Sequence, residues 1–192
     1  MLTAKKLSIT AIFVALDVLA NIFSIPIMGS NYISFTYLVC FAAAFYLGLT
    51  PALIVGALGD LIGCLIVPKG AFNPVIFMSS VLIAVIPALI FKIKGVNKYV
   101  KLVIALVICT VLVTAFLNTY ALWLMYSKGK TFFVYLWARL PFQLLNTAVN
   151  GLLMFILMRI GIIDKLIQKY EINAKVGDSN VVVEDTNEKL DN

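Results

Sequence analysis

The chain contains no histidine, and its three cysteines, Cys40, Cys64 and Cys109, lie in apolar stretches without a second Cys or His at ligand spacing. Zinc sites and disulfide scaffolds are built from closely spaced Cys and His or from dense Cys frameworks, so neither is expected, and the cysteines read as small core residues. Charge is scarce too: Asp, Glu, Lys and Arg make up 12% of the 192 residues, about half the usual share of about 25%. There is no glycine-rich P-loop, no Ser/His/Asp or Cys/His set, no HExxH and no repeated acidic cluster. No catalytic constellation is recognisable, which disfavours an enzyme, and a transporter energised by ATP through this chain alone is excluded. Internal repeats and low-complexity tracts are lacking as well.

What is present is apolar surface: 62% of the residues are hydrophobic and the mean hydropathy is +1.05. That composition belongs to an integral membrane protein. The apolar runs extend through the chain, so the first is expected to span the membrane rather than act as a cleaved signal. Charges, Gly and Pro divide the sequence into six expected helices, at about 7–27, 33–49, 51–67, 75–92, 100–126 and 132–161. Gly48-Leu49-Thr50-Pro51 is read as a break between two helices, because one continuous rod would be about 50 Å long, against a hydrocarbon core of about 30 Å. The fold class expected is therefore all-α, six transmembrane helices in one compact bundle over residues 1–171. Residues 172–192 are polar, with an acidic run at Glu184, Asp185, Glu188 and Asp191, and read as a disordered tail without an assigned function.

Basic residues orient this bundle. Lys5 and Lys6 precede the first span, Lys92, Lys94, Lys98 and Lys101 flank the loop between the fourth and fifth, and Arg159, Lys165, Lys169, Lys175 and Lys189 follow the sixth. Only Lys69, Lys128 and Lys130 fall on the other side. Cytoplasmic loops are enriched in Lys and Arg, so both termini are expected in the cytoplasm, which requires an even number of spans.

Three ionised residues, Asp17, Asp60 and Arg139, lie well inside apolar runs. Arg139 heads a stripe with Gln143, Asn146 and Asn150, spaced by four, three and four residues and hence on one helical face. A central Arg costs roughly 2.5–3.5 kcal/mol on insertion scales, so it faces a cavity, a partner or a ligand. A pocket is one reading, in which the guanidinium meets a carboxylate, phosphate or heteroaromatic carbonyl. A salt bridge to Asp60 or Asp17, or snorkelling to the outer headgroups, is the other. Asn118, on the preceding span across a short loop, is expected at a similar depth to Arg139 and Gln143. Trp123 lies near the same loop and reads equally as a pocket residue or as part of an aromatic belt. Asn150 is deepest and reads as helix packing.

The first span is two-sided: Ala11 and Ala15 form a small-xxx-small pair on one face, and Asp17, Asn21 and Ser24 share another. The third carries Ala52, Gly56, Gly59, Asp60 and Gly63, a small-residue face read as intramolecular packing. Two loops expected outside, one with Gly29, Ser30, Asn31 and Tyr32, the other with Pro68, Lys69, Gly70, Ala71, Phe72, Asn73 and Pro74, have the composition of lids and equally of plain connections.

Taken in order, Ile33-Ser34-Phe35-Thr36-Tyr37-Leu38, Gly48-Leu49-Thr50-Pro51, Gly59-Asp60-Leu61-Ile62-Gly63, Pro68-Lys69-Gly70-Ala71-Phe72, Leu117-Asn118-Thr119-Tyr120 and Ala138-Arg139-Leu140-Pro141 resemble the signature segments of the S components of energy-coupling factor (ECF) vitamin transporters, most closely their folate family. The resemblance implies a non-enzymatic subunit in a prokaryotic plasma membrane that binds a vitamin from outside. It implies docking on a transmembrane coupling subunit and two ATPases, with toppling in the membrane, and it maps the family's Ala-xxx-Ala contact onto Ala11 and Ala15. Together with the polar stripe and the two outer loops, this makes the expected substrate-binding residues Arg139, Gln143, Asn146, Asn118, Asn31, Tyr32, Lys69, Phe72, Asn73 and Trp123, with no cofactor and no metal. Asn31 and Tyr32 stand where folate-family members often carry a basic residue, which leaves Lys69, Lys128, Lys130 and Arg139 to meet a folate carboxylate. Another vitamin or precursor (pyridoxine, pantothenate, a queuosine precursor) is the alternative within the family, and a structural cell-envelope protein the alternative outside it.

Overall fold

The computed structural model describes residues 4–28, 31–68, 72–126, 129 and 131–161. The polar tail from 172 and the candidate Lys69 lie outside the described residues, as do Gly29, Ser30, Lys128 and Lys130. The chain divides into two compact units, Met1–Phe155 and Ile156–Asn192. The described part of the second is the final helical stretch to Ile160 and Gly161. The first carries the cavity and every side-chain contact described below.

It is built of helices. Their order is α1 (Ala4–Ile22), a hairpin of β1 (Ile25–Met28) and β2 (Asn31–Ile33), α2 (Thr36–Tyr46), α3 (Leu49–Ile66) and α4 (Pro74–Lys92). Then come α5 (Lys98–Tyr126) and α6 (Phe132–Ile160). Among the described residues α3, α4, α5 and α6 are long and apolar enough to cross a membrane. α1 has 19 residues, and α2 only 11, a length of about 16 Å that falls short of a hydrocarbon core.

The first two expected spans are thus shorter than their apolar runs. α1 stops at Ile22 because Pro26 biases the residue before it to extended backbone and offers no amide for a helix. Ile25 instead pairs with Ile33 and Pro26 with Tyr32, antiparallel, with an irregularity before Met28 pairs with Asn31. α2 begins late because the chain at Ser34 is held by α6. Asn146 Oδ1 accepts the Ser34 N–H at 3.1 Å, and Asn150 Nδ2 donates to the Ser34 carbonyl at 2.9 Å. Asn150 Oδ1 also accepts the Leu38 N–H at 3.1 Å, satisfying a first-turn amide that has no partner within its own helix. Cys40, Phe41, Ala42, Ala43 and Ala44 are all buried, so α2 is an interior helix, apolar on every side.

The break between α2 and α3 is at Gly48, whose φ of 88° belongs to glycine. Asn73 caps α4, its Oδ1 accepting the Val75 N–H at 2.8 Å with Pro74 in the first turn. At the other end of α4, Lys101 donates to the Phe91 carbonyl at 3.3 Å and also to that of Ile93.

Small residues let α3 approach its neighbours. A Cβ added at Gly59 would lie 2.1 Å from Asp17 Oδ2, and one at Gly63 would lie 2.9 Å from the Asn21 side chain, both on α1. At Gly56 the obstacle would be the Ala84 Cβ of α4, at 2.8 Å. These glycines hold α3 against α1 and α4. The polar face of α1 turns inward, with Asp17 fully buried, while Ala11 and Ala15 are exposed.

α5 departs from the expected α-helix: Cys109–Asn118 is π-helical. Thr114 Oγ1 donates to the Cys109 carbonyl at 3.4 Å and Thr119 Oγ1 to the Thr114 carbonyl at 3.1 Å. Both bonds run five residues back, where the expectation for helical Thr is three or four. Long π segments are rare and concentrate at functional positions.

Candidate functional site

A cavity of about 410 Å³ opens among β2 and all six helices, within the range of about 300–1,000 Å³ typical of small-molecule sites. Helical periodicity sets its α6 wall: Arg139, Gln143 and Asn146 line it and Asn150, one turn further, does not. The same logic selects Asn118, Leu122, Met125 and Tyr126 on α5 and excludes Trp123. Trp123 is rotated about 100° from Leu122 and packs in an aromatic cluster, its ring 6.0 Å from both Tyr120 and Phe132. Asn31 and Tyr32 enter from β2, and Phe72 and Asn73 from the approach to α4. Of the described candidates the structure therefore brings together Arg139, Gln143, Asn146, Asn118, Asn31, Tyr32, Phe72 and Asn73.

Several of these side chains are only half satisfied. Arg139 is 7% exposed, its Nε and Nη1 have no hydrogen-bond partner in the protein, and its Cζ lies 5.7 Å from the Tyr135 ring centroid. That cation–π contact offsets part of the desolvation, yet leaves donors of the planar fork unused. Gln143 Nε2 donates to Thr119 Oγ1 at 2.9 Å and to the Thr114 carbonyl at 3.3 Å, while its Oε1 is buried without a partner. The Thr114 carbonyl, within the π-helical stretch, thus accepts from both Gln143 Nε2 and Thr119 Oγ1. Asn118 Oδ1 and Asn31 Oδ1 are likewise buried and unpartnered. Orphaned buried polar atoms typically cost about 1–3 kcal/mol each. Five of them, on four residues, lie in the lining of one cavity, where a hydrogen-bonding solute would satisfy them.

Other lining residues already serve the fold. Asn73 Oδ1 caps α4 and its Nδ2 contacts Met125 Sδ at 3.1 Å. Asn146 fixes the entry to α2, and Tyr37 and Thr114 share a hydroxyl–hydroxyl bond in the cavity wall. Asn21, Ser34, Thr36, Tyr37, Asp60, Cys64 and Thr114 also line the cavity, beyond the site residues expected from the sequence. Asn21 and Asp60 did carry a signal as polar groups within apolar runs.

A family model described as the ECF transporter substrate-specific component matches residues 5–158. The chain belongs to that family, a class of multi-pass membrane proteins whose role is substrate binding rather than catalysis. It is 32% identical over 127 residues to the folate transporter FolT of Clostridium novyi (strain NT), covering 66% of this chain and 69% of that one. Its fold is shared with a crystal structure of FolT bound with folic acid (TM-score 0.69, 22% identity, 81% of this chain and 93% of that one). It is shared too with the S component of a bacterial ECF transporter (TM-score 0.66, 20% identity, 81% and 94%).

Proposed function

We propose that this chain is the folate-capture subunit of an ECF transporter in a prokaryotic plasma membrane. In this reading both termini are cytoplasmic, the cavity receives its vitamin from outside, and Ala11 and Ala15 form the docking face for the transmembrane coupling subunit. Two ATPase subunits of the module supply the energy, and toppling of the loaded chain in the membrane delivers the vitamin. The observation that carries the reading is the convergence of Arg139, Gln143, Asn118 and Asn31 on one cavity with unpartnered polar atoms. Folate has a heteroaromatic ring bearing carbonyl and amino groups and a glutamate with two carboxylates, so it presents both acceptors for the guanidinium and donors for the amide oxygens. Exposure of Ala11 and Ala15 on α1, opposite to its inward polar face, is what a close helix–helix contact requires.

The test is calorimetric titration of the purified chain with folic acid, pyridoxine, pantothenate and a queuosine precursor. Folic acid should bind, and Arg139→Ala and Asn118→Ala should each weaken it at least tenfold. Binding of a different vitamin, or of none, would overturn the folate assignment.

A further inference from the structure

The cavity has two chemically different walls. Arg139, Gln143 and Asn118 come from α5 and α6, whereas Asp60 of α3 and Asn21 of α1 bring the cavity its carboxylate. Asn21 Nδ2 donates to Asp60 Oδ1 at 3.3 Å. Asn21 is itself seated against Gly63, where any Cβ would come within 2.9 Å of its Cβ, Cγ and Nδ2. Glycine at 63 thus admits Asn21, and Asn21 orients the carboxylate one turn earlier on α3.

We propose that Asp60, positioned by Asn21, recognises a ligand edge carrying two adjacent N–H donors, and so fixes which way round the ligand sits. The assignment rests on the folate reading of the cavity. An ionised carboxylate only accepts hydrogen bonds, and its two oxygens match a pair of parallel N–H groups. The pterin ring of folate offers such a pair, a ring N–H beside the 2-amino group. At the other end of folate, the glutamate carboxylates are repelled by Asp60 and attracted by a guanidinium. Asp60 therefore selects for the pterin edge and against the reversed orientation. A vitamin without a paired donor edge forgoes these two hydrogen bonds, which makes the same residue a filter among vitamins.

The full-length chain in detergent should be titrated with folic acid and with 2-deaminofolic acid, for wild type, Asp60→Asn and Asn21→Ala. Wild type is expected to prefer folic acid by tenfold or more. Asp60→Asn should erase most of that preference, losing at least tenfold for folic acid and less than threefold for the deamino analogue. Asn21→Ala should fall between. Equal wild-type affinity for the two ligands overturns the inference without needing any variant to fold, and so does an equal loss for both ligands in Asp60→Asn. Neither result touches the folate assignment, whereas failure of wild type to bind folic acid overturns the assignment and this inference together.

Discussion

Asn150 of α6 holds the start of α2 from both sides, accepting the Leu38 N–H at 3.1 Å and donating to the Ser34 carbonyl at 2.9 Å. A single buried amide, 1% exposed, thereby caps a helix that lies more than a hundred residues earlier in the chain. Asn150→Ala is predicted to leave those backbone groups orphaned and to destabilise the fold by about 2–3 kcal/mol. Thermal unfolding in detergent would show it as a lowered midpoint; an unchanged midpoint would refute it.

Arg139 is predicted to trade stability for binding. Its buried, partly unpartnered guanidinium is a liability without ligand, so Arg139→Leu should raise the ligand-free thermal midpoint while weakening folic acid at least tenfold. Arg139→Lys, keeping the charge and losing the planar fork, should recover only part of the affinity. A substitution that lowers stability and leaves binding intact would place Arg139 in the structural role instead.

Gly59→Ala is predicted to disrupt the seam between α1 and α3, since its Cβ would fall 2.1 Å from Asp17 Oδ2. Overpacking of this kind costs about 1–3 kcal/mol. Gly48→Ala meets no atom within 4 Å and is strained only by its φ of 88°, so its cost should be about 1 kcal/mol. Comparing the two midpoints separates close packing from backbone conformation, and equal effects would contradict the packing argument.

Ala11→Leu with Ala15→Leu is predicted to leave folic acid affinity of the isolated chain unchanged, because both residues are exposed and neither lines the cavity. Uptake in cells and co-purification of the coupling subunit should be lost. Preserved uptake would remove α1 from the docking surface.

Much of this architecture was legible because apolar runs and helical periodicity are local properties. The break at Gly48 followed from a glycine and a proline three residues apart, and the shared face of Arg139, Gln143 and Asn146 from spacing alone. The hairpin was not legible: Ile25, Pro26, Ile27 and Met28 are apolar enough to extend the first span, and only pairing with Asn31–Ile33 reveals them as a strand. Neither was the π-helical stretch in α5, whose residues suit an ordinary helix; Gln143, reaching over from α6, takes up the Thr114 carbonyl. Trp123 was associated with the pocket by closeness to a loop, and one residue of helical rotation carries it into the aromatic cluster. The pairing of Asn21 with Asp60 depends on how closely α1 and α3 dock, a long-range consequence of Gly59 and Gly63 that neither run discloses by itself.

The brevity of α2 has a further consequence. The helix supplies about 16 Å where a crossing needs about 30 Å, and the cavity lies against its first turn, at Thr36 and Tyr37, and against the non-helical chain before it, at Asn31, Tyr32 and Ser34. The late start of α2 therefore puts first-turn side chains, rather than a further turn of helix, at the cavity wall. Asn150, which does not itself line the cavity, acts on that wall at one remove, by holding the chain where α2 begins.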